Sequence, residues 1–298
     1  MAVDPLDPWT WSARAHDGPH GRMAYVERPG PGPAVVFVHG LPTAKELFYG
    51  VLARLDPALR IVAVDLLGYG ASSQPRRRIH HREQAAAIDA LRQHLGIDRY
   101  TLVAHDLGAS VAVDVLRDHA ASVERLVLIS APVYPDFREP AIVRLLRVPA
   151  VGPALLRVGA WVLFRGALAR GLARPARLDR RLADALFRPY RGSAGRSALR
   201  RNLWWGRPAD VFSDYPVILR RIAVPTLILH GCADPYIPIE HAGRLHRDVA
   251  GSTLRMIADG SHFLPIDSPE ALAGALADFF AAAPIAGADP PLTGAAPR

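Results

Sequence analysis

The 298-residue chain contains one cysteine, Cys232, and one lysine, Lys45. A single cysteine excludes an internal disulfide and is typical of a reducing compartment. The amino-terminal residues lack the basic start, apolar run and small-residue cleavage site of a secretory signal. The sequence therefore predicts a cytoplasmic protein.

Long apolar runs are also missing. No uninterrupted run reaches the ~20 residues that a membrane-spanning helix requires. The most apolar stretch, residues 141–164, is interrupted by Arg144, Arg147 and Arg157. The sequence thus predicts no spanning segment, and membrane association is not expected. One alternative stays open, in which the arginine-rich region docks on an anionic membrane.

The charge is strongly one-sided, with a formal net charge of +8 and a pI of about 10.2. The arginines concentrate between residues 138 and 221. A nucleic-acid-binding surface would normally carry a recognisable docking element or stacking aromatic residues, and the sequence has neither. No nucleic-acid partner is predicted, and the sequence sets no oligomeric state.

Cofactor motifs are absent as well. Gly68-Tyr-Gly70 lacks the third glycine of a dinucleotide fingerprint, and no glycine-rich loop ends in Lys-Ser or Lys-Thr. His80-His81 and the scattered acidic residues do not have zinc-site spacing. The sequence therefore predicts a protein with no cofactor and no metal.

What the sequence does contain is an alternation of strand and helix patterns. Continuous apolar runs are typical of strands buried on both faces of a parallel sheet. Six such runs, each followed by a turn signal, cover residues 34–38, 61–65, 101–103, 125–129, 226–230 and 253–257. Helical spacing of apolar residues appears between them at 82–95 and 107–119. This alternation predicts an α/β fold with a doubly wound, mostly parallel sheet.

The alternation stops at residue 135 and resumes at residue 223. Between these points the sequence shows only helical patterns, broken by Pro and Gly. We expect residues 135–222, the cap segment, to cover the carboxyl edge of the sheet, where ligands bind in open α/β sheets. Residues 1–134 and 223–283 are predicted to form the core. Residues 284–298, mostly Ala, Pro and Gly, are predicted to be a disordered tail.

The strongest local signal is Val103-Ala-His-Asp-Leu-Gly108, where a strand ends and a helix begins. A nucleophile elbow needs small residues two before and two after its apex, because the turn is sharp. Ala104 and Gly108 occupy those places and Asp106 occupies the apex. Asp106 is therefore a candidate nucleophile. The alternative is a carboxylate that only caps the helix.

Three further signals follow other predicted strands. His39-Gly40-Leu41-Pro42 follows an earlier strand, where an oxyanion hole forms in enzymes with a nucleophile elbow. The backbone N–H groups of Leu41 and Leu107 are the predicted donors of this hole. Asp234 and His262 each follow a late strand. The order nucleophile, acid, histidine at the ends of separate strands predicts a catalytic triad.

With these residues in place, the chain resembles the aspartate-nucleophile branch of the α/β-hydrolase superfamily, which includes epoxide hydrolases and haloalkane dehalogenases. It is also similar to mesoderm-specific-transcript-like hydrolases. The resemblance covers about residues 20–283. The matching motifs are His39-Gly-Leu-Pro-Thr43, Asp65-Leu-Leu-Gly-Tyr-Gly-Ala-Ser72, His105-Asp106, Asp234-Pro235 and Gly260-Ser-His262. It implies an α/β-hydrolase fold and a cofactor-independent hydrolase.

The chemistry expected of these residues is attack by Asp106 on an electrophilic carbon, giving an alkyl-enzyme ester. His262, supported by Asp234, would then activate water to hydrolyse that ester. The expected substrate is small and hydrophobic, with water as the second reactant. An epoxide is favoured over an ordinary ester, which would give a mixed anhydride.

The sequence departs from the resemblance at Leu41 and Leu107, where dehalogenases carry polar halide donors. Epoxide opening instead requires a proton donor in the cap. The candidate proton donors, in the cap segment and at its edges, are Tyr134, Tyr190 and Tyr215, and the candidate halide donors are Trp161, Trp204 and Trp205. Three functions stay open: an epoxide hydrolase, a haloalkane dehalogenase, and a catalytically weak ligand-binding protein that keeps the pocket.

Overall fold

A computed structural model describes residues 4–282 and shows one eight-stranded sheet in the order β1-β2-β4-β3-β5-β6-β7-β8. The strands are β1 (Ala13–Gly18), β2 (Gly21–Arg28), β3 (Ala34–Val38), β4 (Arg60–Val64), β5 (Tyr100–His105), β6 (Val123–Ile129), β7 (Thr226–Gly231) and β8 (Thr253–Ile257). Strands β4, β3, β5, β6, β7 and β8 pair in parallel, and β1 and β2 are antiparallel. The predicted doubly wound, mostly parallel sheet is confirmed.

The central strands are buried on both faces, which explains their continuous apolar sequences. Every residue of β3 and β5 is buried. The hairpin of β1 and β2 was not predicted, because β1 is largely solvent-exposed and carries polar residues such as Arg14 and His16. A two-stranded edge of this kind lacks the apolar run that marked the other strands.

The helices are α1 (Tyr49–Leu52), α2 (His81–His94), α3 (Leu107–His119), α4 (Ala141–Arg147), α5 (Val151–Arg170), α6 (Arg180–Phe187), α7 (Gly192–Asn202), α8 (Pro208–Val211), α9 (Tyr215–Leu219), α10 (Ile239–Asp248), α11 (Leu264–Asp267) and α12 (Pro269–Ala281). Helix α3 has the predicted bounds, and α2 lies one residue earlier than predicted. Helices α2 and α3 pack against each other, and α3 packs on β5.

Helices α4 to α9 all lie between β6 and β7, so the cap segment is helical as its sequence pattern indicates. The predicted division into core and cap segment at these boundaries stays a prediction. The tail predicted for residues 284–298 lies outside the described residues.

Helix α5 is the longest helix of the cap segment, with 20 residues. Among the described residues it alone is long and apolar enough to cross a membrane by length and composition, with a mean hydropathy of 1.3. Counting uninterrupted apolar residues missed this property, because Arg157 and Arg165 stand within the helix. The helix is kinked at Gly159, where φ is −138° and ψ is 27°.

Candidate active site

Asp106 lies in the sharp turn between β5 and α3. Its φ is +52°, a region that residues other than glycine rarely adopt. The turn requires a glycine at position 108, because a Cβ there would lie 2.5 Å from the carbonyl oxygens of both Val38 and His39. The Asp106 side chain makes no helix-capping hydrogen bond. A positive φ at the apex of a sharp strand-to-helix turn is typical of a nucleophile elbow.

The loop after β3 passes directly beside this carboxylate. The Leu41 N–H donates to Asp106 Oδ1 at 2.8 Å. A Cβ on Gly40 would lie 2.3 Å from the same oxygen, so only glycine permits the approach. His39 holds the loop, since its Nδ1 donates to the Gly40 carbonyl and its Nε2 accepts from the Leu66 N–H. The predicted oxyanion-hole donor Leu41 therefore faces the predicted nucleophile.

His262 and Asp234 approach Asp106 from the loops that follow β8 and β7, at the same carboxyl edge of the sheet. His262 Nδ1 lies 3.0 Å from Asp234 Oδ2, and His262 Nε2 lies 3.6 Å from Asp106 Oδ2. Asp234 Oδ1 also accepts from the N–H groups of Tyr236 and Ile237. The structure thus brings the three predicted triad residues together in the order Asp106, His262, Asp234.

The charges of Asp106, His262 and Asp234 shift one another's pKa values. Burial raises the pKa of Asp106, although His262 and the N–H groups of Leu107 and Leu41 oppose this effect. Burial alone would lower the pKa of His262, but the neighbouring charges of Asp234 and Asp106 raise it above its usual value. Burial would raise the pKa of Asp234, yet His262 holds it well below its usual range. The negative charges of Asp234 and Asp106 therefore favour the charged form of the His262 imidazole.

A cavity of about 100 Å³ opens over Asp106 and His262. Its walls are mainly apolar side chains of α4, α5 and α7, including Leu146, Leu156, Phe164 and Leu199. Five of the lining residues have polar side-chain groups: Asp106, Glu139, Trp205, Tyr236 and His262. A mainly apolar cavity with few polar groups is typical of a site for a small hydrophobic ligand.

Most of the predicted cap donors lie elsewhere. The hydroxyl of Tyr134 donates to Asp248 at 2.8 Å, and that of Tyr215 donates to Asp114 at 2.9 Å. Trp161 packs edge-on against Phe187. None of these three residues lines the cavity, because other partners hold their side chains.

The remaining candidates are Tyr190, Trp204 and Trp205. Tyr190 is fully buried against Phe164, and Trp204 lies beneath the guanidinium groups of Arg78 and Arg147. Neither lines the cavity, whereas Trp205 does. The Trp205 ring stacks on His81, and its indole N–H makes no hydrogen bond with any described residue. Trp205 is therefore the candidate donor that the structure places at the site.

Sequence reasoning missed Tyr236 and Glu139 as cavity residues. Tyr236 follows Asp234 by two residues, and its ring lies edge-on to the His262 ring with centroids 5.1 Å apart. Its hydroxyl donates to the Ala167 carbonyl at 2.6 Å. The proximity to Asp234 in sequence was the available signal. Glu139 offered none, because its place beside the cavity depends on its ion pair with Arg147.

The carboxyl end of α5 is fastened to the His262 loop. Buried Asp267 accepts from the N–H groups of Ala173, Arg174 and Ser261 at 2.9–3.0 Å. The Phe263 N–H donates to the Gly171 carbonyl at 3.0 Å. The position of His262 is therefore coupled to that of the cap segment.

Comparison with known proteins shows the family of this chain. Residues 33–269 match the family model of the alpha/beta hydrolase fold. The chain belongs to the α/β-hydrolase-fold family. The resemblance drawn from the sequence is confirmed, and the protein is an α/β-fold hydrolase. An uncharacterized protein of Mycobacterium tuberculosis is 30% identical over 262 residues, covering 84% of this chain and 76% of the relative.

Two relatives of this α/β hydrolase are haloalkane dehalogenases. Haloalkane dehalogenase 2 of Mycobacterium tuberculosis is 28% identical over 295 residues, covering 94% of this chain and 100% of the relative. The crystal structure of haloalkane dehalogenase DbeA from Bradyrhizobium elkani superimposes with a TM-score of 0.78 and 25% identity, covering 91% of this chain and 99% of the other. The epoxide hydrolase CorEH gives a TM-score of 0.75 at 21% identity, covering 91% and 98%, and shares the fold.

Proposed function

We propose that this hydrolase uses Asp106 as a nucleophile and acts on a small apolar epoxide through an alkyl-enzyme ester. The observation that carries the proposal is the position of the Asp106 carboxylate. One of its oxygens accepts from the Leu41 N–H, and the other lies 3.6 Å from His262 Nε2 at the base of an apolar cavity. This arrangement leaves Oδ2 as the attacking atom and Oδ1 as the future oxyanion.

In the first step, Asp106 Oδ2 attacks a ring carbon and the ring carbon–oxygen bond breaks. The ring oxygen takes a proton, and the product stays bound as an ester. In the second step, His262 Nε2 removes a proton from water, whose oxygen attacks the Asp106 carbonyl carbon. The Leu41 and Leu107 N–H groups stabilise the resulting oxyanion. The bond between the acyl carbon and the alkyl oxygen breaks, and the diol leaves with a proton from His262. The new carboxyl group then returns its proton to the group that protonated the ring oxygen, which restores the carboxylate and the donor.

The charges of the site favour this order of events. Asp106 helps to raise the pKa of His262 while its carboxylate is ionised. Ester formation removes that negative charge, so the pKa of His262 falls. The neutral imidazole, which must accept a proton from water, is therefore favoured once the ester has formed.

Tyr236 is the proposed proton donor to the ring oxygen, because it is the one lining residue with a phenol. Burial raises the pKa of Tyr236 to about 12. An alkoxide is a stronger base than a phenolate, so proton transfer to the opening ring is still favourable. Donation requires the hydroxyl to turn from the Ala167 carbonyl towards the ring oxygen.

A second candidate function is dehalogenation of a small haloalkane. The unpaired indole N–H of Trp205 favours it, because a desolvated halide needs hydrogen-bond donors. The side chains of Leu41 and Leu107, beside the nucleophile, supply none. A halide in this cavity would thus depend on Trp205 and on backbone N–H groups.

Two matched substitutions distinguish these functions. For an epoxide hydrolase, Tyr236→Phe should lower diol formation by about 100-fold or more, because a general acid contributes at least this much. Trp205→Phe should change diol formation only a few-fold. Diol and halide release are measured on the same panel of small epoxides and haloalkanes. Halide release that depends on Trp205, with no diol from any variant, would replace the epoxide proposal with dehalogenation.

The covalent mechanism itself is tested with wild-type enzyme in excess over substrate, in water labelled with heavy oxygen. Because water attacks the Asp106 carbonyl carbon, the first turnover should place the label in the peptide containing Asp106. The product of that turnover should contain unlabelled oxygen. Mass spectrometry of product and peptides reads both results. Label in the first product, with none in the enzyme, would mean that water attacks the substrate directly.

A further inference from the structure

The outer face of α4 and α5 exposes an unusual number of apolar side chains. Val158 is 91% exposed and Val162 is 71% exposed. They lie on α5 on either side of the kink at Gly159, and the side chains of both are turned towards solvent. We call the full set the outer patch: Leu145, Val148, Val151, Val158 and Val162, with the exposed arginines Arg144, Arg157 and Arg165. Helices α4 and α5 pack against each other, and a concentration of exposed apolar side chains on neighbouring helices is typical of an interaction site.

The charge around the outer patch has one sign. Residues 140–178 contain seven arginines and no Asp or Glu. The exposed patch arginines, Arg144, Arg157 and Arg165, form no ion pair with any described residue. Elsewhere in the segment, Arg147, Arg174 and Arg177 pair with Glu139, Asp259 and Glu270. Exposed Arg170, at the end of α5, also forms no ion pair with any described residue. Three of these four unpaired arginines thus lie on the same stretch of helix as the exposed valines, which favours an anionic partner.

Two alternative arrangements fit the outer patch less well. A second copy of the chain would bring its own three arginines against these three, and like charges across an interface are repulsive. Insertion of α5 across a bilayer would expose its inner face to lipid. That face, with Leu156, Ala160 and Phe164, forms the cavity wall, and the end of the helix is fastened to the His262 loop.

We infer that the outer patch docks on an anionic lipid surface, with the valines in the acyl boundary and the arginines among the headgroup phosphates. Exposed apolar side chains flanked by arginines bind a membrane interface in this way, since the apolar groups enter the acyl boundary and the cations are attracted to anionic headgroups. Docking places the cap segment, which encloses the hydrophobic cavity, against a store of apolar molecules. The inference departs from the sequence-based expectation of no membrane association, and it does not depend on the proposed chemistry.

The test is flotation of the full chain with vesicles of phosphatidylglycerol and, separately, of phosphatidylcholine. Wild type should float with the anionic vesicles and bind the neutral ones far more weakly. Arg157→Gln/Arg165→Gln should weaken anionic binding by about fivefold per arginine. Val158→Ser/Val162→Ser should weaken it by at least about tenfold, since both valines lose their transfer into the acyl boundary. Val217→Ser, an exposed valine of α9, is the matched control and should bind like wild type.

Circular dichroism tests whether the variants fold. Folding is expected because all the substituted side chains are exposed. Failure of wild type to float with anionic vesicles would overturn the inference. Equal binding by wild type and Val158→Ser/Val162→Ser would overturn it too. A dimer in sedimentation velocity that the valine substitutions convert to monomer would assign the outer patch to a second copy instead.

Discussion

Asp106→Asn is expected to abolish turnover, with a loss of at least about 10⁴-fold in kcat. The amide carries no charge and cannot displace the ring oxygen or a halide. Burial raises the pKa of Asp106, which means that the ionised carboxyl is less stable in the folded protein than in water. Replacing it with a neutral side chain of the same shape should therefore leave the melting temperature unchanged or higher. Diol or halide release and thermal unfolding are the two measurements.

The matched control for this variant is Asp259→Asn. Asp259 lies three residues before His262, is exposed, and pairs with Arg174 outside the cavity. Its activity should stay within about twofold of wild type, as expected for a surface position. Intact mass must show that the introduced amide of Asp106→Asn has not deamidated, because the restored carboxylate would restore activity. Full turnover by a verified Asp106→Asn protein would exclude Asp106 as the nucleophile.

His262→Gln should separate the two chemical steps. Attack by Asp106 on an epoxide needs no base, so the ester should still form. Its hydrolysis needs a group that removes a proton from water, and kcat should fall by at least about 10⁴-fold. The ester should therefore accumulate and appear by intact-protein mass spectrometry. An added mass equal to the whole epoxide identifies epoxide chemistry, and an alkyl mass without its halogen identifies dehalogenation.

His94→Gln serves as the matched control, because His94 is exposed at the end of α2. It should turn over like wild type and show no adduct. The double variant His262→Gln/Asp106→Asn should show no adduct either, and this result would assign the attachment of the substrate to Asp106. If wild type consumes a substrate while His262→Gln accumulates no adduct from it, the proposed covalent-ester mechanism is wrong.

The core of the fold was predictable because its strands are buried on both faces. The runs at 34–38 and 253–257 match β3 and β8 residue for residue. The elbow was predictable for a steric reason, since Ala104 and Gly108 leave room for a sharp turn at Asp106. Strand β1 was not predictable from the same signal, because it lies at the edge of the sheet and its side chains are mostly exposed.

The polar residues that line the cavity were much harder to predict than the cluster of Asp106, Asp234 and His262. The residues of this cluster follow strands, and the carboxyl ends of parallel strands lie at one edge of the sheet. A tyrosine within or beside the cap segment has no such constraint, and the direction of its side chain depends on its hydrogen-bond partner. The hydroxyl groups of Tyr134 and Tyr215 donate to Asp248 and Asp114, respectively. Trp205 reaches the cavity because it stacks in line with His81 and Phe212, a packing arrangement with no signature in the sequence.

The kink at Gly159 divides α5 into halves with different anchoring. The half after the kink ends at the Phe263–Gly171 hydrogen bond and the buried Asp267 carboxylate. The half before it carries the exposed Val151 and Val158 on its outside and Leu156 on its cavity side. A single helix therefore separates the cavity from the outer patch on this side of the site. A substitution that shifts α5 would consequently change the shape of the cavity and the outer surface together.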